Sequence, residues 1–136
     1  MKKIEELILL YGFTDEEKEN KIKTVLKRMK IKTKSISEEM MSQKVGYLVE
    51  MPSFKETVSK EPVEAFDQEV MVMQGIQNKR MNEILSNFKA ENIEKIALKA
   101  IVTPYNMFWT FSRLCKTIQK DHLVIKEHKD QDKVKM

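Results

Sequence analysis

The stretch Leu7-Ile8-Leu9-Leu10-Tyr11-Gly12-Phe13 has a counterpart in Val70-Met71-Val72-Met73-Gln74-Gly75-Ile76, and this correspondence decides the fold. Each is a short apolar run ending at a glycine. A run of that length with no polar alternation reads as a strand buried on both faces. Each is followed by an amphipathic stretch. Ile22, Val25, Leu26 and Met29 follow the first run, and Met81, Ile84, Leu85 and Phe88 the second. The spacing i, i+3, i+4, i+7 lays such residues along one helix face.

A second strand closes each unit. Ile31–Ile36 alternates branched and basic residues and reads as a strand more exposed than the first. Ile96–Val102 reads as the fourth strand. The expectation is an α/β fold: a single small domain of two pseudo-repeated β-α-β units, residues 1–51 and 69–123, joined by a connector over 52–68. They share one mostly parallel or mixed four-stranded sheet covered by helices. A ferredoxin-like α+β sandwich is the alternative, since it has the same order of elements.

Local chemistry sets the element ends. Thr14-Asp15-Glu16-Glu17 reads as a capping box, with Thr14 as cap and Glu17 reaching back. Acids then lie at the positive end of the first helix, and Lys27, Arg28 and Lys30 at its negative end. Glu17–Lys21 and Glu19–Lys23 are favourable i, i+4 pairs. Asn78 is read as the cap of the second long helix, and Glu91-Asn92 as its end.

The intervening stretches are less regular. Ser37–Ser42 reads as a loop or helical turn. Val45–Met51 reads as a strand or a short helix, with Gly46 counting against the strand. Ser53 and Glu56 suggest a helical turn within the connector. A last helix is expected from Thr103-Pro104 or from Asn106, with Met107, Phe108, Phe111, Leu114, Cys115 and Ile118 as its apolar stripe. Residues 124–136 read as a disordered tail.

Composition narrows the function classes. At 136 residues and 41% hydrophobic, the chain can bury roughly two thirds of its unfolded surface. A single cysteine, Cys115, excludes an internal disulfide and leaves a cytoplasmic location as the expectation. Lys2 and Lys3 precede an apolar run, but Glu5 and Glu6 interrupt it and no small-residue cleavage site follows. Leu7–Tyr11 is too short to cross a bilayer. Lys27, Arg28, Lys30, Lys32 and Lys34 form a basic run, yet no aromatics interleave with it for base stacking. It reads as a solvated face, and nucleic acid is the weakest functional reading.

The segment Lys99-Ala100-Ile101-Val102-Thr103-Pro104, followed by Asn106 and Trp109-Thr110 and preceded by the strand ending at Gly75, resembles the bacterial domain of unknown function 3783 over residues 69–123. The N-terminal half, including Gln43, Gly46, Tyr47 and Leu48, is similar to what precedes that domain. The resemblance implies a small bacterial α/β protein and brings no catalytic residue or cofactor with it.

The candidate surface for a ligand or partner is the set Gly12, Gly75, Thr103, Pro104, Asn106, Trp109 and Thr110. A strand-to-helix junction offers free backbone N–H groups that can hold an anion. Residues of the same types are also ordinary caps. Trp109 is either a partner anchor or a core side chain fixing the last helix. Neither Gly12 nor Gly75 belongs to a dinucleotide-binding or P-loop pattern. His122 and His128 have no metal-ligand spacing, so no metal, cofactor or catalytic residue is read. The expected function is a non-enzymatic protein-interaction or regulatory module, its partner being a second copy of the chain or another protein. A small-ligand or anion sensor at Thr103–Thr110 is the alternative.

Overall fold

Four strands form one mixed sheet in the order β2-β1-β3-β4. They are β1 (Leu7–Tyr11), β2 (Lys32–Ile36), β3 (Val70–Gln74) and β4 (Leu98–Ile101). The helices are α1 (Glu16–Arg28), α2 (Val45–Leu48), α3 (Asn78–Ala90) and α4 over 111–121. The structure, a computed structural model, describes residues 5–58 and 66–121. The expected tail therefore lies outside the described residues, as does part of the connector.

β1 pairs in parallel with β2, and β3 with β4. The two pairs meet along an antiparallel seam between β1 and β3. There Leu9 stands opposite Val72, flanked by Leu7 opposite Gln74 and Tyr11 opposite Val70. The expected four-stranded α/β sheet is thus formed, in its mixed version. A ferredoxin-like sheet splits each β-α-β unit. Here each parallel pair is adjacent, and the alternative falls.

Every residue of β1 and β3 is buried, because helices cover both faces of the sheet. Ile8, Leu10, Met71 and Met73 pack with Ile22, Val25 and Leu26 of α1 and Ile84 and Phe88 of α3. Leu7, Leu9, Tyr11, Val70 and Val72 pack with Val45 and Leu48 of α2 and Phe111, Leu114 and Cys115 of α4. Double cover is the physical reason these strands are continuously apolar. The outer strand β2 is wetter, and lysines guard its free edge. Lys32 pairs with Glu50 at 3.0 Å, and the Lys34 ammonium lies 6.0 Å from the Tyr47 ring centroid.

α1 and α3 end alike. Lys30 and Asn92 adopt the left-handed conformation, with φ of 64° and 58°. Just beyond them, the Ile31 N–H donates to the Leu26 carbonyl at 2.8 Å and the Ile93 N–H to the Phe88 carbonyl at 2.9 Å. Both isoleucines are buried, as the apolar residue after a Schellman turn tends to be. The pairs Glu17–Lys21 and Glu19–Lys23 both form, at 3.9 and 3.0 Å.

Several boundaries differ from expectation. Asp15, not Thr14, caps α1: its carboxylate accepts from the N–H groups of Glu17 and Lys18. Asn78 is the first residue of α3, and Gln77 holds the cap position without a side-chain bond. Val45–Met51 contains the short helix α2 and no strand. A Cβ on Gly46 would lie 2.6 Å from the Phe54 ring, so this glycine makes room for an aromatic packed on the helix. No helical turn follows Ser53, where residues 54–58 are irregular. The Thr57 N–H instead donates to the Gln43 side chain at 2.7 Å.

The last helix begins at 111, later than expected. Asn106–Phe108 is a separate 3-10 turn, and Trp109 is extended with ψ of 153°. The reason is a pairing between distant segments. Lys44 and Thr110 form an antiparallel bridge, and the Val45 N–H donates to the Trp109 carbonyl at 2.9 Å. A helix running through 106–111 would forfeit those bonds. Thr110 then caps α4, its hydroxyl accepting from the Arg113 N–H at 3.1 Å.

Candidate interaction surface

The 103–110 segment is held by its own polar side chains. The Thr103 N–H donates to Asn106 Oδ1 at 2.8 Å, and Asn106 Nδ2 donates to the Ile101 carbonyl at 2.9 Å. The Thr103 hydroxyl accepts from the N–H groups of Tyr105 and Asn106 at 3.2 and 3.0 Å. Asn106 is buried. These groups serve the turn itself, which is how Asn and Thr commonly act beside a helix start.

The seven residues singled out in the sequence do not converge. Gly75 ends β3 and Thr103 follows β4, and those strands run parallel, so Gly75, Thr103, Pro104 and Asn106 lie toward one end of the sheet. Gly12 ends β1, which runs antiparallel to β3, and it lies at the other end. There it lines a cleft of about 500 Å³ with Glu19, Ser35, Glu38 and Asp67. Near the first end, the Gln74 side chain donates to the carbonyls of Val49 and Glu5. Its buried oxygen has no partner among the described residues.

Turning at Asn106 and again at Trp109 brings aromatic side chains to the surface. Tyr105 is 81% exposed and Phe108 58%. The Phe54 ring sits over Gly46 with its centroid 5.3 Å from that of Phe108. The buried Gln43 amide secures this corner by donating to the Thr57 carbonyl at 2.9 Å. Trp109 is half-buried against the core, and the Arg113 guanidinium stacks 4.4 Å from its ring centroid. Trp109 therefore serves the fold on one side and meets a cation on the other. Arg113 is exposed, as are Lys44, which bridges to Thr110, and Lys55 and Glu56, which follow Phe54 in the chain.

Sequence reading missed Tyr105 and Phe54, and placed Phe108 in the core stripe. The usable signal was the pair of aromatics bracketing Asn106, which cannot share a helix face with Phe111 once a turn intervenes.

The other basic candidates are largely committed elsewhere. Arg28 pairs with Glu91 at 3.2 Å, and Lys32 and Lys34 have the partners given above. Cys115 is fully buried, and desolvation pushes its thiol up to about 12, which suppresses the nucleophilic thiolate. Among the described residues no group of His, Cys, Asp and Glu is arranged to hold a metal ion. Nor is any described helix long and apolar enough to cross a membrane.

β3, α3, β4, the 3-10 turn and α4 thus form one consecutive unit that includes the aromatic turn. Residues 69–125 match the family model described as Domain of unknown function (DUF3783). The matched segment contributes Tyr105, Phe108, Trp109 and Arg113 to the surface, while Phe54 and Gly46 come from the part of the chain before it. No curated protein and no solved structure matches the chain.

Proposed function

We propose that the protein is a non-enzymatic interaction module that docks an acidic peptide segment of another protein through the aromatic corner. The observation that carries this is the exposure of Tyr105 and Phe108 beside Phe54 on a well-braced turn. Aromatics on a rigid support are the usual anchors of protein contacts, because they bring large contact area at small entropic cost. Against the single exposed acid Glu56, the exposed Lys44, Lys55 and Arg113 leave these segments net basic, which favours a partner with Asp or Glu beside an apolar anchor. The scaffold is read as a β-α-β unit used twice, and a cytoplasmic site of action goes with its lone buried thiol.

A displayed peptide library tests the reading. The wild-type protein is expected to enrich peptides that combine an aromatic or aliphatic residue with acids. The double variant Tyr105→Ser, Phe108→Ser is expected to lose at least tenfold in affinity for them at an unchanged melting temperature. Selection of peptides without acids, or binding indifferent to the double variant, overturns the proposal. So does a concentration-dependent dimer, seen by light scattering and abolished by the same substitutions, since the corner would then be a contact between two copies of this chain.

A further inference from the structure

On the opposite face of the sheet, α3 leaves β4 incompletely covered. The register Met71 to Lys99 and Met73 to Ile101 puts Lys99 and Ile101 on the α3 side of the outer strand. The connection from α3 to β4 then swings outward through Ile93 and Ile96, both buried. Between helix, connection and strand lies a groove of about 530 Å³, floored by Leu85, Phe88, Ile93 and Ile96. That volume is within the roughly 300–1,000 Å³ typical of small-molecule sites. Lys89, Lys95 and Lys99 stand around it, with Glu94 as the acid among the lining residues.

Lys99 is the informative residue. Its ammonium donates to the Ile96 carbonyl at 3.2 Å, which engages one of three protons. Among the described residues no carboxylate lies within ion-pair distance of it. Burial, and secondarily the charge of Lys95, lower its pKa from the ordinary lysine value. A half-desolvated cation without a counter-ion, at the rim of an apolar floor, is stabilised by an anion that brings its own apolar body.

We infer that this groove binds a small amphipathic carboxylate, its chain lying on Leu85, Phe88, Ile93 and Ile96 and its carboxylate paired with Lys99 and Lys95. The site is separate from the aromatic corner, which lies across the sheet and belongs to the other core. Binding at one need not involve the other.

Octanoate is a suitable probe, followed by amide chemical shifts in a ¹H–¹⁵N spectrum of the full chain. The expected result is saturable shifts centred on Phe88, Ile93, Ile96 and Lys99. Octanol should bind at least tenfold more weakly and acetate not measurably. Lys99→Met keeps the apolar stem and should weaken octanoate at least tenfold, with the remainder of the spectrum unchanged. Lys99→Arg keeps the charge and should retain binding, which separates loss of the ion pair from loss of structure. The inference is overturned by an absence of saturable shifts, by shifts centred elsewhere, by equal affinity for octanol, or by unaltered binding in Lys99→Met.

Discussion

The Gln68 carbonyl oxygen occupies the space a side chain on Gly12 would need. A Cβ built there would lie 2.3 Å from that oxygen, and Gly12 has φ of 81°. The contact is between backbones, so no side chain can swing aside. It lies where β1 ends beside the start of β3. We expect Gly12→Ala to lose about 3 kcal/mol or more of stability in urea denaturation, the left-handed strain of roughly 1–2 kcal/mol adding to the clash. Gly75 has φ of 71°. Gly75→Ala is expected to lose at least the same left-handed strain, roughly 1–2 kcal/mol. A loss at Gly12 no larger than that strain would show that the close approach to Gln68 has no energetic weight.

The cap of α1 provides a cleaner comparison. Asp15 accepts from the Glu17 and Lys18 N–H groups at 3.1 and 3.2 Å. Asp15→Ala should cost about 1 kcal/mol, while Thr14→Ala should stay within a few tenths. The same urea titrations decide it. If the losses were reversed, the helix would start one residue earlier, at the capping box first legible in the sequence.

That one-residue slip illustrates what the sequence could and could not show. The strands β1 and β3 and the helices α1 and α3 were legible because burial imposes its period directly on residue type. Ile22, Val25 and Leu26 face the core as their spacing requires. Which of Thr14 and Asp15 caps is a choice between two good acceptors, and residue type alone does not make it. The aromatic corner was illegible for a different reason. Trp109 is extended only because Val45, far away in sequence, takes its carbonyl, and that pairing leaves no local trace. Phe108 accordingly looked like a core residue of a helix that begins only at 111. The groove beside Lys99 was hidden too, since it depends on where α3 stops covering β4.

Cys115 makes stability fall at high pH. Burial raises its folded-state pKa to about 12, well above the ordinary thiol value of about 8.5. The unfolded chain therefore releases this proton first, and the native state is penalised from near pH 9 upward until about 12. The slope expected for one such proton is roughly 1.4 kcal/mol per pH unit. Lysines and tyrosines titrate in the same window, so the comparison is with Cys115→Ala. The wild-type minus variant stability, from urea curves between pH 8 and 10.5, should be flat below about 9 and decline above it. A difference that stays constant across that range contradicts a buried thiol held protonated.

Asn106 distinguishes a braced turn from a ligand site at the β4 end. Its side chain accepts from Thr103 and donates to Ile101, so Asn106→Ala leaves one N–H and one carbonyl without these partners. An unsatisfied buried group costs roughly 1–3 kcal/mol. We expect a loss of about 2 kcal/mol with no ligand present, and much faster hydrogen exchange at the Thr103 amide. Asn106→Asp should be no better, because a carboxylate cannot donate to the Ile101 carbonyl and is poorly solvated there. Suppose instead that Asn106→Ala were as stable as the wild type and Thr103 exchanged at its original rate. The side chain would then be free of structural work, and its burial at the end of a parallel strand pair would have to be explained by something it binds.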